Sequence, residues 1–325
     1  MTNKVNTDKI KNELVNKRNI YMTDFKKNLI DFGISFFNKL LWQNKYTINL
    51  KKYIFKYINT LYELNKIISK VQILSDDTLF IILNDGTRFY GLKDKDTIFG
   101  GKLKYANLKR LSKFREIGKN IWYYSGFLET LCEQYIDDIY EKYYKIKKGD
   151  IVVDVGANVG IFTIKAAKEV GNDGKVIAVE PEGECLSMLQ KNIQENKLRN
   201  VLVIQKGVWI KKDKLKFYIS PSSTGHSFYE SIHYKVAEIE VDSLDNILKE
   251  YGIERTDFVK LDIEGAEVEA VKGMNEVLKS GAKIVIASYH LINNDFTYKT
   301  ILPYLREKKF KVHLQKGIVY AIPKG

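Results

Sequence analysis

The sequence predicts an α/β protein. A mostly parallel, doubly wound, Rossmann-like sheet carries helices on both faces, and an N-terminal extension of helices and a β-hairpin precedes it. Three observations carry this prediction. The run IVVDVGANVG at 151–160 is a short apolar strand that ends in an acid and a glycine turn. The run KVIAVEP at 175–181 is a second apolar strand, and it ends in Glu180, 24 residues after Gly156. From Ile151 onward, strand-like and helix-like periods alternate along the chain.

Residues 1–70 read as helical. Phe25, Leu29, Phe32, Phe36 and Leu40 recur at three- and four-residue spacing, interrupted by Gly33, and the pattern returns over 53–68. TLFIIL and TRFYGL flank Asn84-Asp85-Gly86, a hairpin signal. Gly100-Gly101 marks a loop. Residues 121–144 are aromatic and acidic, and Gly149-Asp150 supplies the turn into the first core strand. The expected division is therefore an extension over 1–120 and a nucleotide-binding domain over 121–325. In that domain strands are expected at 151–156, 175–180, 200–206, 258–263 and 283–288, with helices at 159–170, 182–196, 244–251, 266–279 and 296–308. An inserted strand pair falls at 215–219 and 236–241. A closing pair falls at 310–315 and 317–322.

The chain has 325 residues and a net charge of +13. The charge is uneven: residues 1–150 hold 28 Lys+Arg against 17 Asp+Glu, and residues 151–325 hold 25 against 23. A basic front half suits nucleic acid, an anionic lipid surface or an anionic substrate. A solvated lysine surface is the alternative reading. No apolar run reaches the roughly 18–20 residues of a transmembrane helix, and the first residues lack an apolar signal-peptide core. Two cysteines, Cys132 and Cys185, make neither a disulfide framework nor a zinc site by themselves. A cytoplasmic location is expected.

The turn itself points to the cofactor. A strand, a glycine turn opening a helix, a second strand and an acid that can reach a ribose form a nucleotide-binding unit. A dinucleotide site wants Gly at the second position of its turn, so that the backbone can approach a pyrophosphate. Here the turn reads Gly156-Ala157-Asn158-Val159-Gly160, with Asn158 at that position. Asp154 puts an anion at the strand end, which suits an ammonium or sulfonium better than a phosphate. Together these favour S-adenosylmethionine (SAM) over NAD. The expected cofactor-binding residues are Asp154, Gly156, Ala157, Asn158, Gly160, Glu180 and Pro181. A plain strand-to-helix turn is the structural alternative.

DVGANVG at 154–160, VEP at 179–181, the asparagines Asn192 and Asn196, VDSLDNIL at 241–248 and KLDIEGAE at 260–267 stand in an order and spacing that resemble the FkbM-type methyltransferases. The resemblance covers roughly 140–310. It implies the class I SAM-methyltransferase version of the fold, whose last strand is antiparallel. It also implies an O-methyltransferase acting on a hydroxyl of a sugar, a glycan or a small metabolite. In that family the fifth strand often ends with an acid two residues before a His. This chain has Ser288 there, followed by Tyr289 and His290.

Methyl transfer to a hydroxyl requires donor and acceptor in line and a group that takes the hydroxyl proton. Ligands bind at the carboxyl ends of such strands. Asp262 is the leading catalytic candidate, because it interrupts the apolar run FVKLDI, where an acid is costly unless it serves a site. Glu264 and His290 are the further candidates. Glu267 also fits a helix start, where an acid suits the dipole. His226, in the loop SPSSTGHS at 220–227, is a weaker candidate for the base. Asp262, Glu264 and His290 could share a magnesium ion, but scattered ligands from two strand ends do not commit the chain to a metal. Two other functions fit less well: an RNA methyltransferase with a basic N-terminal binding domain, and a non-catalytic binding protein on the same fold. No N-P-P-[YF] motif follows the fourth strand, and the front region lacks RNP-like or KH-like patterns.

Overall fold

The structure, a computed structural model, describes residues 45–94, 112–114, 117–220, 225–229 and 235–324. The expected apolar stripe at 25–40 and the Gly100-Gly101 loop lie outside them. The chain divides into two compact units, Met1–Asn59 and Thr60–Gly325. Helix α1, Lys45–Ile67, spans the boundary. No helix among the described residues is long and apolar enough to cross a membrane.

In the second unit, β1 (Ile68–Ile73), β2 (Leu79–Leu83) and β3 (Arg88–Gly91) form an antiparallel sheet in that order. The predicted hairpin is β2–β3. Its turn is closed by Leu83 N–H on Thr87 O at 2.8 Å and by Thr87 N–H on Asp85 Oδ1 at 2.9 Å. Leu79, Ile81 and Leu83 point to one buried face, as a period of two requires. Helix α2, Ser125–Leu131, follows.

The main sheet is built from β4 (Ile151–Val155), β5 (Lys175–Val179), β6 (Val201–Ile204), β10 (Phe258–Leu261), β11 (Lys283–Ala287), β14 (Phe310–Gln315) and β15 (Ile318–Pro323). Between β6 and β10, β7 (Gly207–Val208), β8 (Asp213–Ile219) and β9 (Lys235–Asp242) form a separate sheet in the order β7-β9-β8. The main order is β14-β15-β11-β10-β4-β5-β6. All pairs from β6 to β11 are parallel, and β15 runs antiparallel to both neighbours. This is the class I methyltransferase sheet with its reversed last strand.

The helices are α3 (Ile161–Val170), α4 (Gly183–Glu195), α5 (Leu244–Glu250), α6 (Glu267–Lys272), α7 (Asn275–Lys279) and α8 (Tyr298–Glu307). Strands buried on both faces read as continuous apolar runs, which is why β4, β5 and β11 stood out in the sequence. Alternate residues feed two cores. Val153, Val155, Val259, Leu261 and Ile284 pack with Leu244, Val271, Leu305 and their neighbours. Val152, Val176, Phe258 and Val285 pack with Phe162, Val170, Tyr140 and Tyr320 on the other side.

The single helix expected over 266–279 is two helices. Asp245 of α5 caps the second, accepting from Glu276 N at 2.8 Å and Val277 N at 3.1 Å. Several elements were not expected: β1, helix α2, β7, and a short hairpin of β12 (Leu291–Ile292) with β13 (Asp295–Phe296). The strand order reverses between β4 and β10. A crevice opens beyond their carboxyl ends, as the topology of open α/β sheets demands.

Candidate active site

The turn after β4 is built around a glycine that nothing else can replace. Gly156 has φ of 75°, and a Cβ there would lie 1.9 Å from the backbone oxygen of Asp262. The Asp262 N–H in turn donates to Val155 O at 3.1 Å. The ends of β4 and β10 are thereby locked edge to edge. Asn158 takes φ of 51°, and its Oδ1 accepts from Val159 N at 2.6 Å, holding the left-handed turn. Gly160, φ 89°, brings the start of α3 against Leu189, whose Cδ1 would lie 2.4 Å from an added Cβ.

Glu180 follows β5 and is buried. Its Oε2 accepts from Asn158 N at 2.7 Å and its Oε1 from Glu182 N at 3.0 Å. Burial pushes its carboxyl up to about 7, against the opposing pull of those two N–H groups. A cleft runs past this carboxylate. It is lined by Gly156, Ala157, Asn158, Glu180 and Pro181 on one side and by Asp262 and Glu264 on the other. Phe127 and Gln134, from the segment before the sheet, and Phe217, His226 and Phe228, from the β8–β9 region, complete its walls.

Asp154 was expected beside a cationic part of the cofactor, but Lys260 stands there instead. The sheet register sets Lys260 directly opposite Asp154, and the ammonium lies 3.0 Å from Asp154 Oδ1. Thr163 Oγ1 donates to Asp154 Oδ2 at 2.6 Å, and Lys260 also donates to Gly156 O at 2.8 Å. Both charges are buried, at 2% and 0% exposure. The pair acts through the backbone of the turn, and Asp154 is not among the residues that line the cleft. A lysine inside FVKL was a readable signal of the kind that marked Asp262.

Beyond β10 the remaining candidates come together. Asp262 Oδ2 accepts from the Tyr140 hydroxyl at 2.6 Å. Its Oδ1 is buried, accepts no hydrogen bond and lies 4.0 Å from His290 Nε2. Glu264 Oε2 lies 3.3 Å from the same nitrogen. Glu267 Oε1 lies 2.8 Å from His290 Nδ1 and accepts from Ile263 N at 3.2 Å and Gly265 N at 3.1 Å. Glu267 therefore does more than open α6.

Burial alone would lower the His290 pKa, but the carboxylates of Glu264 and Glu267 outweigh it and lift it to about 11. Surrounded only by protein, His290 is held towards its protonated form, which disfavours the general-base role expected from the sequence. Tyr140 is held well above the usual phenol range, first by burial and then by Asp262, so it remains a donor to that carboxylate. His226 lies apart from this group. Its Nδ1 accepts from Ser220 N at 3.0 Å and its Nε2 is 3.6 Å from Cys185 Sγ.

The family model described as the methyltransferase FkbM domain matches residues 154–312. Methyltransferase sdnD of Sordaria araneosa is 28% identical over a match covering 38% of this chain and 60% of that protein. The hexuronic acid methyltransferase AglP of Haloferax volcanii is 25% identical, covering 44% of this chain and 57% of its own length. The chain thus spans about three-fifths of these curated relatives. A solved FkbM methyltransferase from Methylobacillus flagellatus KT superposes with a TM-score of 0.42 at 16% identity, covering 59% of this chain and 47% of that one. The glycine turn, Glu180 and the KLDIEGAE segment all lie inside the matched span, so residues 154–312 are similar to the methyltransferase FkbM domain.

Proposed function

We propose that the protein transfers a methyl group from SAM to a hydroxyl of a sugar, a glycan or a small metabolite. One observation carries this reading: one and the same cleft has Glu180 on one wall and Asp262 on the other, across the point where the strand order reverses. The residues present fit SAM. Glu180 is a buried carboxylate whose two oxygens each accept one backbone N–H and retain lone pairs for ribose hydroxyls. SAM supplies an electrophilic methyl on a sulfonium. Gly156, Ala157, Asn158, Gly160 and Pro181 shape the wall that would hold it.

Asp262 is the group placed to take the hydroxyl proton. Tyr140 fixes its Oδ2, which leaves Oδ1 as the accepting atom. Phe127, Phe217 and Phe228 give the cleft apolar walls. The Haloferax volcanii relative, a hexuronic acid methyltransferase by name, supports a sugar acceptor.

Calorimetry on the full chain tests the cofactor. SAM and S-adenosylhomocysteine should bind, and Glu180→Ala should weaken both by about 2–3 kcal/mol. Binding of NAD without SAM would sink the reading. Mass spectrometry of uronic-acid and glycan acceptors treated with enzyme and SAM should then show the gain of one methylene unit.

A further inference from the structure

Three carboxylates, Asp262, Glu264 and Glu267, surround one imidazole at the carboxyl ends of β10 and β11. Among the described residues, no lysine or arginine forms an ion pair with any of the three. We propose that Asp262, Glu264 and His290 form a binding site for a divalent cation of the Mg²⁺/Mn²⁺ class, with its open positions facing the cleft.

The geometry suits such a site. The three candidate ligand atoms all lie within 4.8 Å of one another. His290 Nε2 is 3.3 Å from Glu264 Oε2 and 4.0 Å from Asp262 Oδ1. Ligands around one octahedral cation with bonds of about 2.1 Å stand about 3–4.2 Å apart. Asp262 Oδ1 is buried without a hydrogen-bond donor, while its other oxygen is already occupied by Tyr140. A buried oxygen of this kind needs a cation or a donor.

The imidazole is oriented as a metal ligand. Nδ1 faces Glu267 Oε1 at 2.8 Å, and Glu267 is itself fully buried and accepts two backbone N–H groups. A carboxylate beside Nδ1 favours the proton on that nitrogen, and Nε2, which makes no hydrogen bond, is the nitrogen next to the other two ligands. A second cluster, Glu182, Cys185 and His226, fails this test. There His226 Nδ1 is the acceptor, from Ser220 N, so the neutral ring carries its proton on Nε2, the atom that would have to ligate.

Two carboxylates with one imidazole make a hard, mixed oxygen and nitrogen set, which suits Mn²⁺ and Mg²⁺ better than thiolate-seeking metals. Asp262 and Glu264 line the cleft, and His290 is not among its lining residues. The positions left open would take oxygens of the acceptor. That role, though not the binding itself, rests on the methyl-transfer reading, and coordination and proton acceptance are alternative uses of Asp262 Oδ1: with the cation bound, that oxygen is a ligand and not the base.

Mn²⁺ alone is the probe. Titration of the full chain, followed by loss of the free-ion electron paramagnetic resonance signal, should show one Mn²⁺ bound per chain. His290→Ala and Glu264→Gln should each weaken binding at least about tenfold, and Glu267→Gln, which disturbs only the orienting carboxylate, by about 10–100-fold. His313→Ala, whose ring stacks on Tyr143 away from the cluster, should change nothing. Circular dichroism confirms the fold of each variant, and Glu264→Gln decides if His290→Ala does not fold. No depletion of the free signal by wild type overturns the proposal. So does wild-type binding in Glu264→Gln, or binding lost in His226→Ala in place of His290→Ala. SAM calorimetry on the same samples separates the two readings. Mn²⁺ binding without SAM binding refutes only the methyl-transfer reading, and SAM binding without Mn²⁺ binding refutes only this site.

Discussion

Glu180 is both a fold residue and a ligand-binding candidate, and its titration ties the two together. Its carboxyl is lifted from an ordinary 4.5 to about 7 by burial. Folding therefore favours the protonated form. The stability this contributes is full below about pH 4.5 and is lost as pH rises through about 7. Ribose hydroxyls, which donate, need the ionised form. SAM affinity should thus rise with pH by up to about tenfold per unit below about pH 7 and level off above it. Glu180→Gln should bind weakly with a flat profile. Parallel profiles for the two proteins would assign the pH dependence to another group. Asp262→Asn belongs to the same scale. It keeps volume and polarity but removes the proton acceptor, so turnover should fall by about 10²–10⁴ with melting within a few degrees of wild type. A loss confined to SAM affinity would make Asp262 a cofactor ligand. Asp262 was legible in the sequence because an acid interrupts an apolar strand. Tyr140, its hydrogen-bond partner, lies 122 residues away, and no local pattern links the two.

At the scale of elements, two asparagines four residues apart, Asn192 in the last turn of α4 and Asn196 at its C-cap, do the work of a missing strand. Asn192 accepts from Tyr90 N at 2.7 Å and donates to Tyr90 O at 3.0 Å and to Val159 O at 2.8 Å. Asn196 accepts from Arg88 N at 2.9 Å and donates to Arg88 O at 2.7 Å. Together they pair the free edge of β3 as a strand would and tie the small sheet to the cofactor turn. Asn192 is fully buried, so Asn192→Ala should leave three backbone groups short of a partner and cost about 2–4 kcal/mol. Asn196→Ala, at a more exposed position, should cost about 1 kcal/mol or less. Urea unfolding measures both, and equal losses would contradict the ladder. The two asparagines were visible in the sequence, but their partners in β3 were not. The parallel strands were legible because they are apolar throughout. The strand β1 was not, since Ile67 passes directly into Ile68 with no breaker between helix and strand. The β12–β13 hairpin has two residues per strand, too few for a period. Its only signal was the Asn293-Asn294 turn, both residues at positive φ.

For the whole molecule, charge and architecture divide at the same place. Residues 1–59 hold 12 Lys+Arg against 4 Asp+Glu, a balance of +8, and the remaining residues hold 41 against 36, a balance of +5. The second unit begins at Thr60, and every residue lining the cleft, from Phe127 to Glu264, belongs to it. The small sheet also belongs to it. Besides the asparagine ladder, Asp94 N–H donates to Tyr123 O at 2.7 Å, and the Tyr124 hydroxyl donates to Asp77 O at 2.6 Å. Leu61, Leu64, Leu79, Ile81 and Phe89 are fully or almost fully buried in this unit. A chain shortened to begin at residue 60 should therefore fold, melt cooperatively and bind SAM within about twofold of the full chain. A chain beginning at residue 121 should not. It leaves the Asn192 side chain without its β3 partners, and it removes the apolar side chains of β1–β3 that pack inside the unit, each worth about 1.5–3 kcal/mol when buried. The loss should exceed the 5–15 kcal/mol by which a domain is ordinarily stable, giving an unfolded or aggregated product. Calorimetric melting and SAM titration of the two shortened chains decide this. A cooperative transition and unchanged SAM affinity in the shorter chain would show that the small sheet is an accessory to the methyltransferase fold and not part of its core.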